Sequence, residues 1–178
     1  MSESKKIVKI LQKKSFSGKD IMNLIDGKAN MITYPELSRF SHIDQVLGRH
    51  GACVILYLTK QNYGHWCCMF RKYRKPKTII FFDSYGTIPD DELLEIPAHM
   101  NKKLGQNRAF LSQLLLDSGY DVEYNDKKLQ KFAKDVNTCG RWTGFRLAVR
   151  RLDTELFSIL CDQMEDPDAF VTAITAEV

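Results

Sequence analysis

His65, Asp83, Gln130 and Cys139 are the side chains of this chain whose types and order could do chemistry together. They lie in the strings His65-Trp66, Asp83-Ser84, Leu129-Gln130 and Thr138-Cys139-Gly140. A thiol beside an imidazole can become a nucleophilic thiolate. A carboxylate that accepts the imidazole's second N–H fixes its tautomer and favours its charged form. This is the minimum equipment of cysteine-based acyl transfer. A side-chain amide would add a donor for the oxyanion such a reaction develops. Gln130 is the best-placed amide by sequence and Asn137 the second.

These residues need elements that bring them together. Ala52–Leu58 is a nearly continuous apolar run, which predicts a strand buried on both faces. Trp66–Phe70 and Thr78–Phe82 predict two more strands, joined by the basic segment 71–77. His65 lies just before one strand and Asp83 just after the next, with residue 74 midway. An antiparallel hairpin would then make His65 and Asp83 cross-strand neighbours. Cys139 opens a predicted amphipathic helix with an apolar stripe at Trp142, Phe145, Val149 and Leu152. The free N–H groups of a helix start favour a thiolate and can bind an oxyanion. In this reading Gly140 lets a substrate backbone approach. The Tyr124-Asn125 step could support the loop that carries Gln130.

The remaining pattern predicts a short basic helix over Ile7–Gln12 and a second helix capped by Ser17 and stopped at Gly27. Residues 28–34 read as a loop. Short turns follow at Pro35–Phe40 and Ile43–Leu47. Helices are predicted over Asp90–Met100, Leu104–Leu116 and Leu156–Met164, with a final segment at Phe170–Ile174. Val122–Tyr124 reads as an edge strand. The expected fold class is α+β, a small central mixed or antiparallel sheet flanked by helices. A single domain is expected, with an N-terminal helical extension over 1–33, a catalytic core over 34–152 and C-terminal helices over 153–178.

At 178 residues, 44% hydrophobic and 27% charged, the chain can bury a real core. No apolar run suits a membrane span, and the N-terminus lacks the apolar stretch of a signal peptide. Five cysteines at irregular spacing fit reduced thiols better than a disulfide framework. Cys67 and Cys68 read as packing residues on opposite strand faces, and Asp90-Asp91-Glu92 reads as helix-start charge, not as a metal site. Net charge is +4, but it is clustered. Arg71, Lys72, Arg74, Lys75 and Lys77 crowd one turn, a possible DNA contact, and Arg141, Arg146, Arg150 and Arg151 follow the cysteine.

The strings GHW (64–66), FFDSYG (81–86), LQ (129–130) and TCGRW (138–142) resemble the adenain/Ulp1-type cysteine proteases, from about Tyr34 to Leu152. The order His, Asp, Gln, Cys is that of the superfamily, whereas papain-like enzymes place Cys early and His late, and the TCGRW form is most similar to maturation proteases of virophages, Polinton-like elements and related large DNA viruses. The resemblance implies Cys139 as nucleophile, His65 as general base and then acid, Asp83 as its orienting group, Gln130 as oxyanion donor and Trp66 as a wall of the cleft. Gln130 lies nine residues before Cys139, a longer spacing than the family's, which the loop 131–138 would absorb. Cleavage after small or glycine-containing sites, capsid or core precursor substrates, a DNA or peptide activator, a virion or host-cytoplasm setting and no metal or organic cofactor are further implications. A ubiquitin-like-protein deconjugase and an acetyltransferase would use the same triad, and a DNA-binding or capsid-lining protein would use none of it.

Overall fold

A computed structural model describes residues 3–178. Its centre is a five-stranded mixed sheet in the order β1 (Asn30–Thr33), β2 (Ala52–Lys60), β3 (Tyr63–Lys72), β4 (Lys75–Phe82) and β5 (Asp121–Tyr124). Strands β2, β3 and β4 form an antiparallel meander, and the short edge strands β1 and β5 each run parallel to their neighbour. Both faces of the sheet are covered, which explains the unbroken apolar run of β2. Side chains alternate between two cores. Val54, Cys68, Phe70, Ile80 and Phe82 pack on one side, and Cys53, Ile55, Cys67, Met69, Ile79 and Phe81 on the other. Cys67 and Cys68 do face opposite ways, and each is fully buried.

The first core is closed by α2 (Gly18–Leu24), α7 (Cys139–Ala148), α8 (Thr154–Asp162) and α9 (Pro167–Ile174). Ser17 caps α2 in a reciprocal box with Asp20. The second core is closed by a 3-10 turn over Tyr34–Arg39 and by α3 (Ile43–Leu47), α4 (Glu92–Glu95), α5 (Ala98–Lys103) and α6 (Phe110–Leu116). The N-terminal helix α1 (Glu3–Lys13) lies on the outside against α9. No described helix is long and apolar enough to cross a membrane.

Four segments depart from the pattern-based expectation. Residues 28–34 contain β1, not a loop. Its four half-buried residues have no pattern of their own, and pairing with Cys53–Leu56 makes the strand. The basic segment 71–77 is mostly strand, with only Tyr73 and Arg74 left in the turn. The helix expected over Asp90–Met100 is two short ones, because Pro97 forces Ile96 into an extended conformation. The helix expected over Leu104–Leu116 begins only at Phe110. Gly105 takes a positive φ of 74°, and the buried Gln106 spends its amide on the Leu58 backbone, donating to its carbonyl at 2.6 Å and accepting from its N–H at 3.1 Å.

Candidate active site

His65 sits on β3 and Asp83 one residue beyond β4. The register pairs Cys68 with Phe82, with an irregularity between Arg71 and Lys72 near the turn. Asp83 is therefore set two residues along from the position directly opposite His65, a correction to the expected pairing. A shift of two keeps both side chains on one face, so they still meet. His65 Nε2 lies 3.0 Å from each Asp83 carboxylate oxygen. Asn125, just beyond β5, fixes the carboxylate's backbone: it accepts from the Asp83 N–H at 3.1 Å and donates to the Asp83 carbonyl at 2.9 Å. The Tyr85 N–H donates to Asp83 Oδ1 at 2.7 Å.

Nε2 faces Asp83, so Nδ1 is the ring nitrogen left for the thiol. Burial lowers the His65 pKa, but the Asp83 carboxylate and the Cys139 thiol more than offset it and hold the imidazole well above its ordinary value. Tyr85 stacks on the ring, with centroids 4.8 Å apart and planes 15° apart. Cys139 begins α7, as its sequence position suggested. All five cysteines are free and Cys139 alone is not buried. Desolvation pushes the others up, Cys161 to about 11 and Cys68 to about 12, which suits packing and not nucleophilic attack.

The loop before Cys139 is tied down by a residue that sequence reasoning missed. Asp168 of α9 is buried. It accepts from Thr138 Oγ1 at 2.5 Å, from the Lys131 N–H at 2.9 Å and from Trp142 Nε1 at 3.3 Å. In sequence Asp166-Pro167-Asp168 reads as a break before the final segment Phe170–Ile174, and nothing local marks Asp168 as the residue that holds this loop. Gln130 is held on both sides. Its Oε1 accepts from Ser84 Oγ at 2.8 Å, and its Nε2 donates to the Val136 carbonyl and meets the Tyr85 hydroxyl, each at 3.2 Å. Gln130 and Cys139 line one cleft of about 520 Å³ with His65, Trp66, Tyr85 and Phe16. The loop between Gln130 and Cys139 is anchored by Asn137, which donates its backbone N–H to Gln12 O and its Nδ2 to Lys13 O, both at 2.8 Å. Asn137 also lines the cleft.

Trp66 is a wall of the cleft, held by donation from Nε1 to the Phe16 carbonyl at 3.2 Å. Gly140 serves another purpose than substrate approach. A Cβ there would come within 2.7 Å of Phe16 Cβ and 3.2 Å of Trp66 Cδ1, so the glycine lets the protein's own wall close against α7. The helix is also less one-sided than its stripe suggested. Arg141 and Arg146 are buried, stacked on Phe16 at 4.1 Å and between Phe70 and Phe157 at 4.7 and 4.4 Å. Neither can meet a phosphate.

The basic turn lies at the opposite end of the hairpin from His65, roughly 23 Å away along seven strand residues. Arg71 pairs with Asp44 at 2.6 Å and Lys72 with Glu123 at 2.7 Å, so those two charges are already neutralised. Arg74, Lys75 and Lys77 are exposed. Among the described residues, His65, Asp83 and Glu92 are the one group of metal-ligating types whose candidate atoms lie within 4.8 Å of one another. Two of the three, His65 and Asp83, are already paired with each other through Nε2 and the carboxylate.

A Sputnik virophage protein named "Uncharacterized protein V9" is 43% identical to this chain over 175 residues, covering 96% of the chain and 99% of that protein. No protein-family model matches the sequence.

Proposed function

The chain belongs to the family of the Sputnik virophage protein V9, and we propose that it is a cysteine endopeptidase of the adenain/Ulp1 type. One observation carries the reading. A buried imidazole has one nitrogen committed to a carboxylate, and the only unburied thiol of the molecule sits beside that ring in an open cleft. His65 takes the Cys139 proton, and the thiolate attacks the scissile carbonyl carbon. The oxyanion meets the Cys139 backbone N–H and the Gln130 amide, whose second N–H faces only the rotatable Tyr85 hydroxyl. The imidazolium returns its proton to the leaving amine as the C–N bond breaks. Water, deprotonated by His65, then hydrolyses the thioester and restores the thiol.

Capsid or core precursors cleaved at glycine-containing sites, in the virion or in host cytoplasm during assembly, are the proposed substrates and setting. The test is a proteome-derived peptide library read by mass spectrometry, native protein against Cys139→Ala. Cleavage that loses at least about 10⁴-fold in rate in the variant supports the reading. Equal profiles, together with acetyl-CoA-dependent labelling of Cys139, would replace it with acyl transfer to another acceptor.

A further inference from the structure

The first residue of α4, Glu92, is a buried carboxyl that the proposed mechanism does not use. It is 8% exposed, and a carboxylate oxygen lies within 4.8 Å of ligand-type atoms of both His65 and Asp83. It also lines the cleft that Cys139 opens into. Burial and the like charges of Asp83 and Glu95 act against its ionisation, and the only opposing influence is the charge on His65.

The groups facing Glu92 come from four elements. Strand β3 supplies His65 and the Cys67 thiol, the segment after β4 supplies Asp83 and Tyr85, and α4 itself supplies Glu95. Across the cleft α7 supplies Cys139. Asp91 and the Lys128 ammonium line a neighbouring cavity with Glu92, but His65 is the one cation whose charge favours its ionisation. A carboxylate so placed ionises together with an imidazolium and stabilises it in turn, because opposite charges a few ångströms apart in a buried site favour each other's charged forms.

We propose that Glu92 is a positioning residue that acts through His65, adding a second negative charge to the His65–Asp83 pair so that the imidazolium persists to higher pH than Asp83 alone would allow. Its consequence for turnover rests on the protease reading, but its effect on the ring does not. Burial pushes the Glu92 carboxyl up to about 7. The second negative charge is therefore absent in acid and present from neutrality upward.

The test is an NMR titration of the His65 ring in the full chain, repeated for Glu92→Gln, Glu92→Asp and Glu95→Gln. A parallel measurement follows the rate of Cys139 alkylation by iodoacetamide against pH. The His65 midpoint and the alkaline limb of the alkylation profile are expected to fall by about one pH unit in Glu92→Gln. The charge-keeping Glu92→Asp and the exposed Glu95→Gln are expected to follow the native protein. A midpoint that does not move in a folded Glu92→Gln overturns the proposal, and so does Glu92→Asp shifting as far as Glu92→Gln, since shape and not charge would then be responsible. A shifted ring in a protein that cleaves no peptide would keep this inference and discard the protease.

Discussion

Asp83 and Asp90 are buried carboxylates seven residues apart with opposite surroundings. Asp90 is saturated by neutral donors. It accepts from the Tyr34 hydroxyl at 2.6 Å, the Tyr57 hydroxyl at 3.3 Å and the Ser112 N–H at 2.8 Å. Both phenols are pushed far above their ordinary range, chiefly by burial, so neither hydroxyl gives up its proton near neutrality. Asp83 has the Tyr85 backbone donor and a titratable imidazole that opens on a cleft. Burial alone therefore does not distinguish a functional carboxylate. The distinction is whether its partner can still change charge and reach solvent. Asp90 locks the 3-10 turn at Tyr34, strand β2 and helix α6 together, and Asp83 leaves one proton free to move.

Substitution should separate the two. Asp83→Asn keeps the shape but loses the charge that orients and holds the imidazolium, and kcat on a cleaved peptide should fall about 10²- to 10⁴-fold. Its melting temperature should change little by comparison with Asp90→Asn. That variant turns an amide toward the Ser112 N–H and loses the charged acceptor of two buried hydroxyls. Stability should drop by about 3 kcal/mol, with kcat per folded molecule unchanged, as read by urea unfolding and active-site titration. An Asp90→Asn variant that loses turnover without losing stability would erase the contrast.

The contrast between the two aspartates was only half legible in the sequence. The motif order and the hairpin geometry point to His65, Asp83 and Cys139 because strand pairing and a helix start are local signals. Asp168 and Glu92 were not legible as site residues, and Asn125 read only as support for the Gln130 loop, not as the residue that holds the Asp83 backbone. Asp168 and Asn125 reach the site from elements distant in sequence, and the buried carboxyl of Glu92 looks like a helix-start charge until its neighbours are known. Strand β1 was hidden for the same reason, since its pairing partner is more than twenty residues on. The two buried arginines of α7 show the reverse error, where charge in sequence suggested surface and aromatic stacking made it core.

Glu92 extends the comparison to a third buried carboxyl, one with no hydrogen-bond donor among the described residues. Its folded pKa of about 7 lies above its ordinary 4.5, so the folded protein binds the extra proton. That contribution to stability is fully present below about 4.5 and is lost as pH rises through about 7. His65 runs the same way, its contribution falling only as pH passes its own raised value. Glu92→Gln removes the carboxyl's share. The variant should therefore gain on the native protein between pH 5 and 8 by up to about 3 kcal/mol, measured as unfolding midpoints at the two pH values. A native protein whose stability advantage over the variant is flat across that interval would show that Glu92 is ionised throughout.

The smallest expected effect is at the far end of the hairpin. DNA contact at the basic turn is proposed for Arg74, Lys75 and Lys77, since Arg71 and Lys72 already answer to Asp44 and Glu123. Each phosphate-neutralising cation that is removed lowers the salt slope of binding by about one. Replacing the three exposed cations with Gln should therefore reduce the slope by about two to three, and Arg71→Gln should leave it where it was. Turnover without DNA should be equal in both variants, because the turn is roughly 23 Å from His65 along the strand. If Arg71→Gln lowers the slope as much as an exposed cation does, the Asp44 pair opens in the complex, and the two ends of the hairpin differ less in their freedom than the unbound protein implies.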